Sequence, residues 1–235
     1  MSASQKKMPL GPIIIGVGGF CVLIALGVWQ ASKVAEKNRV IADAEQRLIA
    51  APTPLPETLD AERDNYKRVI VEGRFLNGEE SYFLTSQTLK GPGFDVIVPF
   101  ETTDGRRILV DRGYVPQKLR DPATRTETTI TGRTKVEGVL RWPDDTSSWT
   151  LDADIKIREF YSREVAPLAD LMKTEQVMVM ASETGGNDWP RGSKAQVNIR
   201  NSHLPYAIQW FLIAAAWAVM SFVWFRKLKR SESSA

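Results

Sequence analysis

Hydrophobic positions along this chain follow two rhythms. Residues 8–32 contain no Asp, Glu, Lys or Arg, and neither do residues 201–225; each gap is 25 residues long. Roughly 20 apolar residues in a helix cross a bilayer core of about 30 Å. Each gap therefore predicts a transmembrane helix, the first over 9–30 and the second over 205–225. Beyond Trp29 the helical rhythm continues, with Val34, Ile41 and Leu48 seven residues apart and Ala44 on the same side. Charged residues from Lys33 to Arg47 fill the other positions, which predicts an amphipathic helix over 31–50. Ala51-Pro52-Thr53-Pro54-Leu55-Pro56 stops it, because three prolines cannot continue a helix.

From Arg68 the period changes to two. Arg68 to Phe75 reads as a strand, Asn77-Gly78 as a hairpin turn, and Ser81 to Thr85 as the return strand. A second hairpin joins Phe94–Phe100 to Arg106–Val115 through Thr103-Asp104-Gly105. Further strands are predicted at 134–141, 156–162 and 175–181, a short helix at 164–173, and a Gly/Asn/Pro-rich loop at 185–193. Such a series of short strands predicts an antiparallel barrel or sandwich, since closure or stacking hides strand edges. The fold class is thus a membrane protein, two transmembrane α-helices flanking a β-rich exported domain over 51–204.

Composition changes the picture only when resolved by region. The 235 residues carry 31 Lys+Arg, 28 Asp+Glu and a net charge of +3. As an average this describes a soluble, mildly basic protein. By region the charge is +2 on the tail 1–8, −2 over 33–200 and +3 on the tail 226–235. The positive-inside rule then puts both tails in the cytoplasm and the central domain across the membrane. A near-neutral centre offers no basic stripe for nucleic acid. The first apolar run is longer than a signal-peptide core and no A-x-A site follows it, so it reads as an uncleaved anchor. Gly16 and Gly19 within it would let another helix approach closely. Cys21 is the single cysteine and lies in this span, so the exported domain has no disulfide. The leader lacks Arg and an amphipathic presequence, which favours a bacterial inner membrane over an organelle.

Candidate chemistry is sparse. His203 is the single histidine, and it lies at the very end of the exported segment, next to the second membrane helix. The exported domain therefore lacks the residues for Ser-His-Asp or Cys-His catalysis and for a multi-His or multi-Cys metal site. No P-loop, G-x-S-x-G or G-x-G-x-x-G pattern occurs. Asp144, Asp145, Asp152 and Asp154 could pair for acid–base work, although such clusters are ordinarily solvated loop charges. Asp111-Arg112-Gly113-Tyr114 reads as a salt-bridged strand end with Gly113 as a bulge. The protein reads as a non-enzyme.

The second span is more specific. His203, Trp210, Trp217 and Trp224 are each seven apart, and Ala207, Ala214 and Ser221 form a small-residue track beside them. Ser202 can cap this helix, and Pro205 is tolerated in its first turn. If the helix begins at 202 or 203, His203 joins the tryptophan stripe; if it begins at Pro205, it does not. Flat indoles, a groove and an imidazole at the membrane interface suit a large planar metal-bearing ligand, and His is a standard axial ligand of haem iron. The ordinary alternative is an aromatic belt with a polar cap.

Here the chain resembles the surfeit locus protein 1 family of cytochrome c oxidase assembly factors. The second-helix signature resembles Asn201-x-His203-Leu204-x-Tyr206-Ala207-x-x-Trp210-Phe211, and the first-helix one Leu26-Gly27-Val28-Trp29-Gln30. Lys33 stands where that family usually has Arg. A central block, Gly91-x-Gly93-Phe94 through Arg112-Gly113-Tyr114-Val115-Pro116, is also similar. The resemblance implies a carrier that takes haem a from haem a synthase and delivers it to oxidase subunit I. It implies His203 as axial ligand of the haem iron, with Trp210, Trp29 and Tyr206 as pocket candidates. With no other His, the opposite axial position is left to Tyr206, water or a partner residue. The alternative is an assembly scaffold that clamps oxidase subunits without binding haem.

Overall fold

The computed structural model describes residues 10–87, 91–143, 151–182, 189–192, 195–197, 199 and 201–233. The chain divides into two compact units, Met1–Ala42 with Asn198–Ala235, and Asp43–Val197.

The first unit is built from two long helices, α4 (His203–Ser233) and α1 (Leu10–Ile49) as far as Ala42; the end of α1 from Asp43 belongs to the second unit. Among the described residues these two are long and apolar enough to cross a membrane. The segment expected to continue as an amphipathic helix is part of α1, which runs unbroken to Ile49. Its seven-residue stripe is the inward one: Val34, Ile41 and Leu48 are half-buried and Ala44 is buried.

The second unit is a β-barrel. Its elements are β1 (Thr53–Pro54), α2 (Ala61–Asp64), β2 (Arg68–Phe75), β3 (Ser81–Gln87), β4 (Gly91–Thr102) and β5 (Arg107–Pro116). Two 3-10 segments, Gln117–Leu119 and Pro122–Thr128, lead to β6 (Thr134–Arg141), β7 (Glu159–Phe160), α3 (Val165–Met172) and β8 (Met178–Ala181). The strands run β1-β2-β6-β8-β5-β4-β3-β7, and a further pairing of β2 with β4 closes a ring of five: β2, β6, β8, β5 and β4. Numbered within the ring, the strands follow the order first, second, third, fifth, fourth, which is the Greek-key connectivity of an OB-type barrel. The ring is antiparallel except where β5 meets β8 in parallel. A parallel pair needs a long crossover, and the chain between those strands supplies one that includes β6 and α3.

The hairpin expected around Asn77-Gly78 forms differently. Gly78 does take a positive φ of 89°, but β2 and β3 are not hydrogen-bonded to each other. Both use β4 instead. β3 pairs with its first half, Gly91 to Ile97, and β2 with its last residues, Phe100 to Thr102. A twelve-residue β4 is long enough to serve two partners, and giving its end to β2 is what closes the barrel. The β4–β5 hairpin forms as expected, with Gly105 at φ 85° in its turn. β6 matches the predicted 134–141. The strands expected at 156–162 and 175–181 shorten to β7 and β8.

Even-numbered residues of β4 point into the barrel, where Phe94, Val96, Val98 and Phe100 join Val69, Val71, Ile108, Val110, Leu140 and Val179. The opposite face is covered as well. Ile97, Leu109 and Met178 pack under α3 through Val165, Leu168, Ala169 and Met172. Burial on both faces explains why β4 and β5 read as near-continuous apolar runs rather than alternating ones.

Candidate functional site

α4 begins at His203, so the histidine belongs to the helix and lies on the tryptophan stripe. The start is fixed by Asn201 rather than Ser202: the His203 backbone N–H donates to Asn201 Oδ1 at 3.4 Å. Asn201 Nδ2 in turn donates to Asn38 Oδ1 at 2.8 Å and to the Val34 carbonyl at 3.3 Å, tying the head of α4 to α1.

Below this tie the small-residue track faces α1. Ala207 and Ala214 are buried and Ser221 is half-buried. The facing surface of α1 is glycine. A Cβ on Gly19 would lie 2.7 Å from the Trp217 indole, and one on Gly27 2.6 Å from the Phe211 ring. Trp217 Nε1 donates to the Gly16 carbonyl at 2.9 Å. The expected close approach at Gly16 and Gly19 is therefore made, and it is made to an indole. His203, Trp210 and Trp217 are half-buried beside the track. Trp217 and Trp224 line a cavity of about 250 Å³ with Ile15, Met220 and Ser221.

His203 has a partner that its own helix does not reveal. Its Nδ1 lies 2.9 Å from Gln30 Oε1. An amide oxygen only accepts, so Nδ1 is the donor in this contact and Nε2 is the ring nitrogen turned away from Gln30. Of the pocket candidates, Trp210 lies one heptad from His203 on the same stripe. Tyr206 is 52% exposed and Trp29 53% exposed. Trp29 is turned about 100° around α1 from Gln30, away from the residue that meets the histidine. Gln30 is the site residue that sequence reasoning passed over; its signal was a lone amide at the end of a charge-free span. Lys33 Nζ donates to Glu36 Oε2 at 2.6 Å. That ammonium holds the Glu36 carboxyl below the usual carboxylate range.

The barrel's candidates resolve structurally. Asp144 and Asp145 lie outside the described residues. Asp152 and Asp154 are exposed, and Asp154 shapes its own loop by accepting from the Lys156 N–H at 3.1 Å. Among the described residues, no group of three or more His, Cys, Asp or Glu could hold a bare metal ion. Asp111 and Arg112 are both buried. Arg112 lies 5.1 Å over the Phe75 ring, and Asp111 accepts from the Gly113 N–H at 2.8 Å. The β4–β5 register shifts opposite Gly113, the expected bulge.

Burial, and then the neighbouring Asp95 carboxylate, push the Asp111 carboxyl up to about 7. A carboxyl raised in the folded state binds more protons there than in the unfolded chain. Its contribution is fully present below the unfolded pKa of about 3.9, and is lost as pH rises through about 7. Asp111→Asn is therefore expected to flatten stability between pH 4 and 7 relative to the wild type. Thermal melts of the full chain in detergent at pH 5 and pH 8 read this directly; equal pH dependence in the two proteins refutes it.

The model of the SURF1 family matches residues 18–215, a span that takes in most of α1, the whole barrel and the first half of α4. The chain belongs to the SURF1 family. It is 30% identical over 225 residues to surfeit locus protein 1 of Rattus norvegicus, covering 87% of this chain and 72% of that protein. It is 29% identical over 224 residues to the Homo sapiens protein of that name, covering 87% and 73%. The Takifugu rubripes protein is 30% identical over 223 residues, covering 86% and 90%. The SURF1-family match includes Trp29, Gln30, His203, Tyr206 and Trp210, so the polar contact between the helices lies inside the shared region.

Proposed function

We propose that this SURF1-family protein is a non-catalytic assembly factor for cytochrome c oxidase. It binds haem a through His203 as cargo and passes it to oxidase subunit I, having received it from haem a synthase. It sits in a bacterial inner membrane with both termini in the cytoplasm and the barrel in the periplasm. The observation that carries this reading is the His203–Gln30 contact, which engages Nδ1 and leaves Nε2 as the ring nitrogen available to a metal.

The donor set fits a haem better than a bare ion. A porphyrin brings its own four nitrogens, so one imidazole suffices, whereas a protein metal site needs several donors. Trp210 adds a flat apolar surface a heptad along α4. The Lys33 ammonium gives a propionate a counter-charge, in competition with Glu36.

The test is spectroscopic. Protein purified from cells that make haem a is expected to carry it, and His203→Ala to carry none. Retention of an unchanged haem spectrum by His203→Ala removes the ligand assignment. Normal oxidase assembly with His203→Ala, together with failure when the barrel or the helices are exchanged, establishes the scaffold reading instead.

A further inference from the structure

We infer that Gln30 is a positioning residue: it holds His203 in the Nδ1–H tautomer and so presents Nε2 as an iron ligand of moderate, releasable strength. This rests on the haem-carrier reading above. A neutral histidine side chain in water prefers its proton on Nε2, the nitrogen that would face the iron. An Nε2–H ring cannot ligate until that proton moves. Gln30 Oε1, 2.9 Å from Nδ1, reverses the preference before any haem arrives. The backbone that carries the ring is anchored to α1, because Asn201 binds both the His203 N–H and the side of α1 one to two turns beyond Gln30.

The identity of the acceptor sets the strength of the ligand. Metal-bound histidines commonly donate their other N–H to a carboxylate or carbonyl, which orients the ring and raises its basicity. A carboxylate pulls hardest on the proton and makes the strongest ligand. A neutral amide oxygen fixes the tautomer with a weaker pull. That combination suits a protein that must take up a cofactor and then give it away. The glutamine lies on the half-buried face of α1 towards α4, in a segment free of charged residues.

The single histidine makes the test clean, because a ¹⁵N-histidine label gives one imidazole signal set. In haem-free full-length protein in detergent at pH 8.5, wild type is expected to have Nδ1 protonated and Nε2 bare. Gln30→Leu is expected to revert to the Nε2–H form, and Gln30→Glu to keep the wild-type tautomer. With haem loaded, Gln30→Leu is expected to bind about 10- to 100-fold more weakly. Gln30→Glu is expected to lower the midpoint potential and to slow haem loss to excess apomyoglobin. An Nε2–H ring in the wild type, or the same tautomer in Gln30→Leu, overturns the inference without reference to haem. If His203→Ala loses haem while Gln30→Leu keeps wild-type affinity and potential, this inference alone fails. If His203→Ala keeps its haem, the carrier reading fails, whatever the tautomer.

Discussion

Gly113→Ala is expected to unfold the barrel, or to leave it too unstable to purify folded. Gly113 has φ 99°, in the region that L side chains avoid. A Cβ there would lie 1.8 Å from the Arg191 carbonyl oxygen and 2.3 Å from its carbon. Neither atom can step aside, because Arg191 is paired with Tyr114 in both directions. The Tyr114 N–H donates to the Arg191 carbonyl at 2.9 Å, and the Arg191 N–H to the Tyr114 carbonyl at 3.0 Å. Relief of the clash breaks that bridge and separates the Trp189 ring from Tyr114, 5.8 Å away. Backbone strain of about 1–3 kcal/mol and two lost hydrogen bonds at about 1 kcal/mol each already remove a large part of the 5–15 kcal/mol typical of a domain. Gly78→Ala is the control. Gly78 also has positive φ, but nothing lies within 4 Å of its Cβ position, so it should lose only about 1–2 kcal/mol. Near-ultraviolet circular dichroism and thermal melts of the two variants read the contrast; similar melts would show that the bulge yields.

Arg125→Met is the second large effect. Arg125 and Glu80 form an ion pair with both side chains buried, at 5% and 7% exposure. The Tyr82 hydroxyl donates to the same Glu80 oxygen at 2.9 Å, and Arg125 Nε donates to the Leu119 carbonyl at 3.0 Å. The pair pins the 3-10 segment to the start of β3. Removing the guanidinium takes away the ion-pair partner of a buried carboxylate, which typically costs about 3–5 kcal/mol; the Tyr82 hydroxyl and the nearby Arg112 charge remain to offset part of it. Adding Glu80→Gln removes the orphaned charge, and the double variant should recover much of the loss. A double-mutant cycle from denaturant melts measures the coupling. Additive losses would mean that the two side chains act independently.

Much of this molecule can be read from local rhythm. Charge-free runs fix the two membrane helices, because the hydrocarbon core excludes charge whatever the rest of the chain does. Residues seven apart share a helix face, so the stripe of His203, Trp210, Trp217 and Trp224 was legible once the helix start was known. The strands β4, β5 and β6 and the Gly113 bulge were legible because a short apolar run bounded by turn residues and a positive φ are properties of a few adjacent residues.

Partnership was not legible. Asn77-Gly78 makes a turn, yet nothing local says that β2 bypasses β3 and closes on the far end of β4. That choice depends on whether five twisted strands can meet in a ring. Glu80 and Arg125 are 45 residues apart and read as ordinary surface charges until the barrel buries both. Gln30 and His203 are 173 residues apart. By itself the sequence determined the two spans, the β-rich centre, and a heptad of tryptophans along the second span, since each follows from spacing along one element. Only the tertiary structure decided which strands close the barrel and which atom holds the imidazole, since those are set by how separate elements pack.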